Sequence, residues 1–229
     1  MELSNVEYNK YLWDDYVGRD ITSVDNEGGE SLEYIGDEWG DKDSVRQVLD
    51  AFIFPYVKAD HKCGEVGSGG GRIASKVAPK VRKLICFDLS EKMLQAAKEK
   101  LSGYPNVDFI LTDGKTLSDG TEETFDFIYS FDVFVHLDLH AIWSYFLEIK
   151  KMLKKDGKVF LHTSNLSAPM GWDRFVNQGE YSVEGHYFIT PETIGVLAEK
   201  AGFEIIKTST IDPANFYYHR DFLFILENK

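Results

Sequence analysis

The chain has 229 residues, of which 43% are hydrophobic and 28% are charged, as is ordinary for a globular protein of one large domain. Lys and Arg number 25 against 38 Asp and Glu, so the net charge is −13. An acidic surface repels phosphate backbones, and this argues against a nucleic-acid partner. No apolar run reaches the ~18 residues of a membrane helix, and no signal peptide is evident. We therefore expect a cytoplasmic protein without membrane contact.

The first 60 residues are expected to form a cap or lid. They combine many acidic side chains with aromatic ones, including Trp13 and Trp39, and residues 44–54 show helical spacing of apolar side chains. Residues 61–229 are expected to be the cofactor-binding core of the same single domain.

From residue 61 the pattern alternates between short apolar segments and amphipathic ones, which predicts a parallel sheet with helices on both faces. Strands are predicted at 62–66, 83–87, 107–111, 126–130 and 157–163, and helices at 71–78, 90–101, 139–153 and 190–201. Two further strands, at 203–208 and 222–226, have no helix-length pattern between them and are expected to pair antiparallel. Residues 164–188 are predicted to be a long loop, and loops of that length are usually functional.

The run from Gly67 to Gly71 indicates a loop that holds a nucleoside cofactor. Glycines let the backbone approach a ligand, and the following helix offers free N–H groups. Asp88 ends the next strand, where an acid can accept hydrogen bonds from ribose hydroxyls. A nicotinamide dinucleotide is one alternative, but its fingerprint has glycine at the sixth position, where this chain has Arg72. An NAD-dependent oxidoreductase is therefore the second choice.

Further segments agree with the loop: the run from Leu89 to Leu94, the Asp113-Gly114 pair, the stretch from Phe125 to His136, and the antiparallel end. Over residues 61–229 these features resemble the class I S-adenosylmethionine-dependent methyltransferases. The resemblance implies a doubly wound, Rossmann-like sheet of seven strands, mostly parallel with an antiparallel last strand, plus an N-terminal helical cap. It also implies S-adenosylmethionine as the cofactor, and no metal is assigned.

The resemblance assigns roles to individual residues. Asp88 would bind the ribose, Asp113 would face the adenine amino group, and Arg72 would pair with the methionine carboxylate or remain a solvated cation. The implied cofactor contacts are Glu65, Gly67, Gly69, Gly71, Arg72, Asp88, Leu89, Met93, Asp113, Gly114, Ser130 and Phe131.

Two histidines are candidates for a catalytic base. His136 and His162 lie near the carboxyl ends of the fourth and fifth strands, where open α/β sheets bind ligands, and imidazole exchanges protons near neutral pH. A structural role is the alternative for each. The predicted activity is methyl transfer to a hydroxyl or amine of a small molecule, with a sugar or a secondary metabolite as the expected acceptor.

Overall fold

The fold is built around one twisted sheet. A computed structural model describes residues 4–17, 35–117, 124–180 and 185–229, apart from the side chain of Glu38. In chain order its strands are β1 (Lys62–Val66), β2 (Lys83–Asp88), β3 (Val107–Leu111), β4 (Phe125–Tyr129), β5 (Leu153–Ser164), β6 (Phe203–Thr208) and β7 (Asp221–Asn228).

The seven strands have the order β3-β2-β1-β4-β5-β7-β6. Strands β1 to β5 pair in parallel, whereas β7 runs antiparallel to both β5 and β6. The order reverses between β1 and β4, so their carboxyl ends open a crevice where ligands bind in such sheets. The predicted seven-stranded sheet with an antiparallel last strand is confirmed.

Helices cover both faces of the sheet. They are α1 (Asn5–Tyr16), α2 (Lys42–Val48), α3 (Ala74–Val77), α4 (Glu91–Lys100), α5 (Leu139–Met152), α6 (Pro169–Gln178), α7 (Pro191–Ala201) and α8 (Phe216–Arg220). On α4 the Ser90 side chain accepts a hydrogen bond from the Met93 N–H and so caps the start of the helix. No helix in the part of the chain that the structure describes is long and apolar enough to cross a membrane.

Successive residues of a strand point to opposite sides of the sheet, so an apolar layer packs on each face. On β4, Ile128 packs under α5 and α7, whereas Phe127 and Tyr129 face α2, α3 and α4. Cys63 and Cys86 are buried free thiols in the second layer.

Several element boundaries differ from the prediction. The helix predicted at 44–54 starts earlier, because Asp41 and not a later residue caps α2. The helix predicted at 71–78 shrinks to α3, which continues as a 3-10 turn over Ala78–Lys80. The segment 164–188 is not a loop throughout, since it contains α6, while residues 181–184 within it lie outside the described residues.

Candidate functional site

The glycine loop crosses the carboxyl ends of β1 and β2. The N–H groups of Gly67 and Ser68 both donate to the Phe87 carbonyl, at 2.8 and 3.1 Å. Gly67 has a φ of 72°, and a Cβ there would collide with the side chain of Val133. Glycine is therefore required at this position both for the left-handed backbone and for the close approach of the β4 loop.

Asp88 is held against this loop by backbone hydrogen bonds. Its Oδ2 accepts from the Gly69 N–H at 2.8 Å, and its Oδ1 accepts from the Ser90 N–H at 2.9 Å. Burial raises the pKa of this carboxyl to about 6, although the backbone hydrogen bonds act in the opposite direction. A carboxylate has about four acceptor positions, so each oxygen can still take a hydroxyl donor from the cavity.

Glu65, at the end of β1, is a second buried acid beside the loop. The hydroxyl of Tyr129 donates to its Oε2 at 3.1 Å. Burial raises the pKa of Glu65 to about 8, although this hydrogen bond and the charge of Arg72 lower it. At neutral pH the carboxyl is largely protonated, and a cationic group bound nearby would favour its charged form.

These residues line one cavity of about 830 Å³. Of the predicted site residues, the structure brings nine to its wall: Glu65, Gly67, Gly69, Arg72, Asp88, Leu89, Met93, Phe131 and His136. The N-terminal part of the chain contributes Trp13 and Trp39 to the cavity wall, and their ring centroids lie 5.5 Å apart.

The remaining cofactor candidates do not reach the cavity wall, each for a local reason. Gly71 packs against α4, and the Ser130 hydroxyl donates to the Val66 carbonyl at 2.7 Å. Asp113 is exposed and accepts from the backbone N–H groups of Lys115 and Thr116, which makes it a turn residue. Thr112, next to it, lines the cavity instead.

Gly114 lies beneath α1, with Val6 in contact where a Cβ would stand. Helix α1 therefore packs directly on the predicted adenine side of the site. It supplies Asn9 and Trp13 to the cavity wall, and Ile35 joins them from the next described segment. Sequence reasoning missed Asn9 and Ile35, because nothing local in the chain indicates which cap residues will face the cavity.

Arg72 is engaged in a buried ion pair. Its Nη2 lies 2.6 Å from Asp132 Oδ2, and both side chains are less than one-tenth exposed. The guanidinium also lies 5.7 Å from the ring centroids of both Trp39 and Phe131. The Tyr217 hydroxyl donates to the same Asp132 oxygen at 3.0 Å. Arg72 is thus neither a solvated cation nor an unpaired one.

His162 is fully buried and does not reach the cavity. Its Nδ1 accepts from the Asp132 N–H at 3.1 Å, so Nε2 carries the proton and donates to Asp221 Oδ2 at 2.8 Å. Arg220 Nε donates to the same Asp221 oxygen at 2.7 Å. With both ring nitrogens occupied, His162 has no free position from which to take a proton from a ligand.

His136, by contrast, lies at the cavity wall. Its ring is 5.5 Å from Trp13 and 4.9 Å from His186, measured between centroids, with edge contacts in both cases. The pKa of His136 is lowered to about 4, mainly by burial; Asp132 acts in the opposite direction, and Arg174 makes a smaller contribution that lowers the pKa. The imidazole is therefore neutral at physiological pH and able to accept a proton.

Comparison with known proteins agrees with this geometry. Residues 64–161 match the family model described as a methyltransferase domain. The chain has the fold of the class I S-adenosylmethionine-dependent methyltransferases, and the matched methyltransferase domain supports S-adenosylmethionine as the cofactor. The resemblance seen in the sequence is confirmed.

Three solved structures illustrate the shared fold. A protein from Pyrococcus horikoshii OT3 is 20% identical and has a TM-score of 0.65, covering 82% of this chain and 91% of that one. A methyltransferase from Aquifex aeolicus is 18% identical with a TM-score of 0.57, over 80% and 89%. The magnesium protoporphyrin IX methyltransferase of Synechocystis PCC 6803, solved with S-adenosylmethionine, is 15% identical with a TM-score of 0.70, over 100% and 99%. No curated protein matches the sequence.

Proposed function

We propose that this protein transfers the methyl group of S-adenosylmethionine to a hydroxyl or amine of a small molecule, such as a sugar or a secondary metabolite. The observation that carries the proposal is that Asp88, the glycine loop and the neutral imidazole of His136 line the same cavity. A donor site and a proton acceptor are thus enclosed together. An oxidoreductase is not favoured.

The residues at the cavity fit the cofactor. Asp88 presents two buried oxygens with spare acceptor capacity to ribose hydroxyls, and Glu65 offers a carboxyl that a ligand ammonium would ionise. Leu89 and Met93 supply apolar wall for a nucleoside base. From the predicted set, we retain these four with Gly67, Gly69, Arg72 and Phe131 as cofactor contacts.

The chain's own contribution to the reaction is positioning and proton transfer. When bound, S-adenosylmethionine supplies a methyl group on an already activated leaving group. The cavity wall holds the acceptor near the methyl group, an arrangement that converts a bimolecular reaction into an effectively unimolecular one. An imidazole nitrogen of His136 takes the proton that an acceptor hydroxyl or ammonium loses. Trp13 and Trp39 add aromatic surface to the cavity wall.

Calorimetry tests the cofactor assignment directly. We expect S-adenosylhomocysteine to bind the protein and NAD not to bind it under the same conditions. The opposite pattern would establish the oxidoreductase alternative.

Transfer of a labelled methyl group to a panel of phenols, sugars and amines then identifies the acceptor class. In the same assay, His136→Gln should lower turnover without changing the affinity for S-adenosylhomocysteine. The cytoplasmic location and the lack of a nucleic-acid partner stay predictions.

A further inference from the structure

The base end of the cofactor cavity is not served by the acid that the sequence predicts there. Asp113 is exposed, and its Oδ1 accepts from the N–H groups of Lys115 and Thr116, so its carboxylate belongs to a turn outside the cavity wall. Adenine carries a donor, the 6-amino group, and an acceptor, ring N1, side by side on one edge. Buried polar groups are normally hydrogen-bonded. A bound adenine therefore needs partners other than Asp113.

Asn9 on α1 has a buried amide oxygen that is open to the cavity. The residue is 3% exposed and lines the cavity wall. Its Nδ2 donates to the Asn5 carbonyl at 2.8 Å, which fixes the orientation of the amide and leaves Oδ1 as its free end. Within the described part of the chain, no group donates to this oxygen. Asn9 Oδ1 is therefore suited to a donor on a ligand.

Tyr145 on α5 presents a buried hydroxyl in the same situation. The residue is 4% exposed and lines the same cavity. Among the residues that the structure describes, none forms a hydrogen bond with this hydroxyl. Burial raises the pKa of Tyr145, and the charge of Asp88 raises it further, so the hydroxyl stays protonated. It can therefore donate to an acceptor on a ligand.

Helix α1 places Asn9 between the segment that follows β3 and the turn that follows β4. Residues three and four positions apart share a helix face, so Asn9 lies on the same face as Asn5 and Val6. Val6 packs on Gly114, just after β3. Asn5 Nδ2 donates to the His136 carbonyl at 2.9 Å, in the turn after β4. Asn9 thus lies over the gap between these two segments.

Helix α5 brings Tyr145 to the same two segments. The Tyr145 ring packs against Phe134, in the turn after β4, with 5.4 Å between centroids. Three residues further along α5, Glu148 accepts from the Leu117 N–H at 3.3 Å, and Leu117 follows β3 and lines the cavity. The free groups of Asn9 and Tyr145 therefore reach the same end of the cavity.

We infer that Asn9 and Tyr145 together recognise the adenine base of the cofactor, with Asn9 Oδ1 accepting from the 6-amino group and the Tyr145 hydroxyl donating to ring N1. The inference rests on the proposed function and assigns base specificity to two residues outside the motifs that carry the resemblance. Asp88 holds the ribose at the end of β2, and β3 is the next strand in the sheet, so the base extends toward the two free groups. An acceptor beside a donor matches adenine and mismatches hypoxanthine, whose corresponding edge carries a carbonyl oxygen and an N–H.

Two analogues of S-adenosylhomocysteine each lack one of the two atoms. The purine riboside analogue has no 6-amino group, and the 1-deazaadenosine analogue has no N1. In calorimetry the wild-type protein should bind each analogue about tenfold more weakly than S-adenosylhomocysteine, because one buried hydrogen bond is lost. Asn9→Ala should remove the penalty for the missing amino group and keep the penalty for the missing N1. Tyr145→Phe should do the reverse.

Asn5→Ala is the matched control. Asn5 has the same side chain on the same helix and anchors α1 to the His136 carbonyl, but it is not among the described residues of the cavity wall. This variant should weaken the binding of all three ligands by the same factor, as any loosening of α1 would.

Equal binding of the three ligands to the wild type would overturn the inference, and so would a penalty that persists in its matching variant. Failure of S-adenosylhomocysteine to bind would instead refute the proposed function. Tyr145→Phe removes only a hydroxyl and should stay folded. If circular dichroism shows that Asn9→Ala is unfolded, Asn9→Leu takes its place, because leucine keeps the shape of the side chain and has no amide.

Discussion

Replacing Asp88 by alanine is expected to weaken the binding of S-adenosylhomocysteine, because this buried carboxylate lies between the glycine loop and the start of α4. Its two oxygens already accept the N–H groups of Gly69 and Ser90 and retain capacity toward the cavity. The alanine variant removes both the loop contacts and the acceptors for two ribose hydroxyls.

The magnitude follows from the number of hydrogen bonds lost. Hydrogen bonds to a charged group contribute about 1.5 to 3 kcal/mol each, so two of them amount to at least about 3 kcal/mol. At roughly 1.4 kcal/mol for each factor of ten, the Kd for S-adenosylhomocysteine should rise by about a hundredfold or more. Calorimetry on wild type and variant measures this ratio, and circular dichroism with thermal unfolding establishes that the variant is folded.

Asp108→Ala is a matched control, because Asp108 lies on the neighbouring strand β3 with its side chain 58% exposed and outside the cavity. Its affinity for S-adenosylhomocysteine should equal that of the wild type. A folded Asp88→Ala protein with unchanged affinity would refute the ribose assignment.

The pH dependence of binding provides an independent check on Asp88. Its pKa in the free protein is raised to about 6, mainly by burial, and hydroxyl donors bind the ionised form. Loss of the Asp88 charge should therefore lower the affinity by up to about tenfold for each pH unit below 6. Asp88→Ala should lack this step at pH 6. A wild-type profile that stays flat from pH 5 to 8 would contradict the argument.

Three further predictions concern stability. Gly67→Ala should lose about 1 to 3 kcal/mol in urea denaturation, because its φ of 72° and the crowded site disfavour a side chain, whereas Gly103→Ala, with open space around it, should change little. His162→Ala should cost about 3 kcal/mol, since Asp221 loses a buried partner, and a stable variant with lost turnover would instead indicate catalysis. Glu65 has a pKa raised from 4.5 to about 8, so its contribution to stability falls as pH rises through that window. Glu65→Gln should therefore gain stability relative to wild type between pH 5 and 8, and parallel pH profiles would refute this.

The sheet could be predicted from the sequence because its signals are local. Each buried strand is a short apolar run, and the glycine loop, Asp88 and the Ser90 cap follow one another within a single β-α-β unit. Helix α1 also has a local sequence signal at its start. Ser4 and Glu7 form a capping box, in which each side chain accepts the other's N–H.

Helix α6 could not be recognised in the same way. It begins at Pro169 without a side-chain cap, and its large apolar residues Trp172, Phe175 and Val176 are exposed, so no buried stripe is visible in the sequence. The sequence of this segment therefore predicts an irregular loop and not a helix.

The two histidines show why site residues are harder to predict than strands. His162 stands near the correct end of β5, yet side chains alternate along a strand, and His162 shares its face with Phe160, away from the cavity. His136 follows β4 by several residues in a 3-10 turn over Phe134–His136, where no simple periodicity applies. The position of His136 becomes clear only in the structure, where α1 packs on this turn and Asn5 Nδ2 donates a hydrogen bond to the His136 carbonyl at 2.9 Å.

The buried polar network explains how the end of β4 keeps its shape beside an open cavity. Asp132 has a φ of 59°, a left-handed conformation that is unfavourable for most side chains. Here its N–H donates to His162, and its carboxylate accepts from Arg72 and from the Tyr217 hydroxyl. These bonds offset the backbone strain and hold the end of β4 in place. Burial lowers the pKa of His136; the charge of Asp132 raises it, whereas the charges of Arg174 and Arg220 lower it, so the end of β4 takes part in tuning the imidazole beside the cavity.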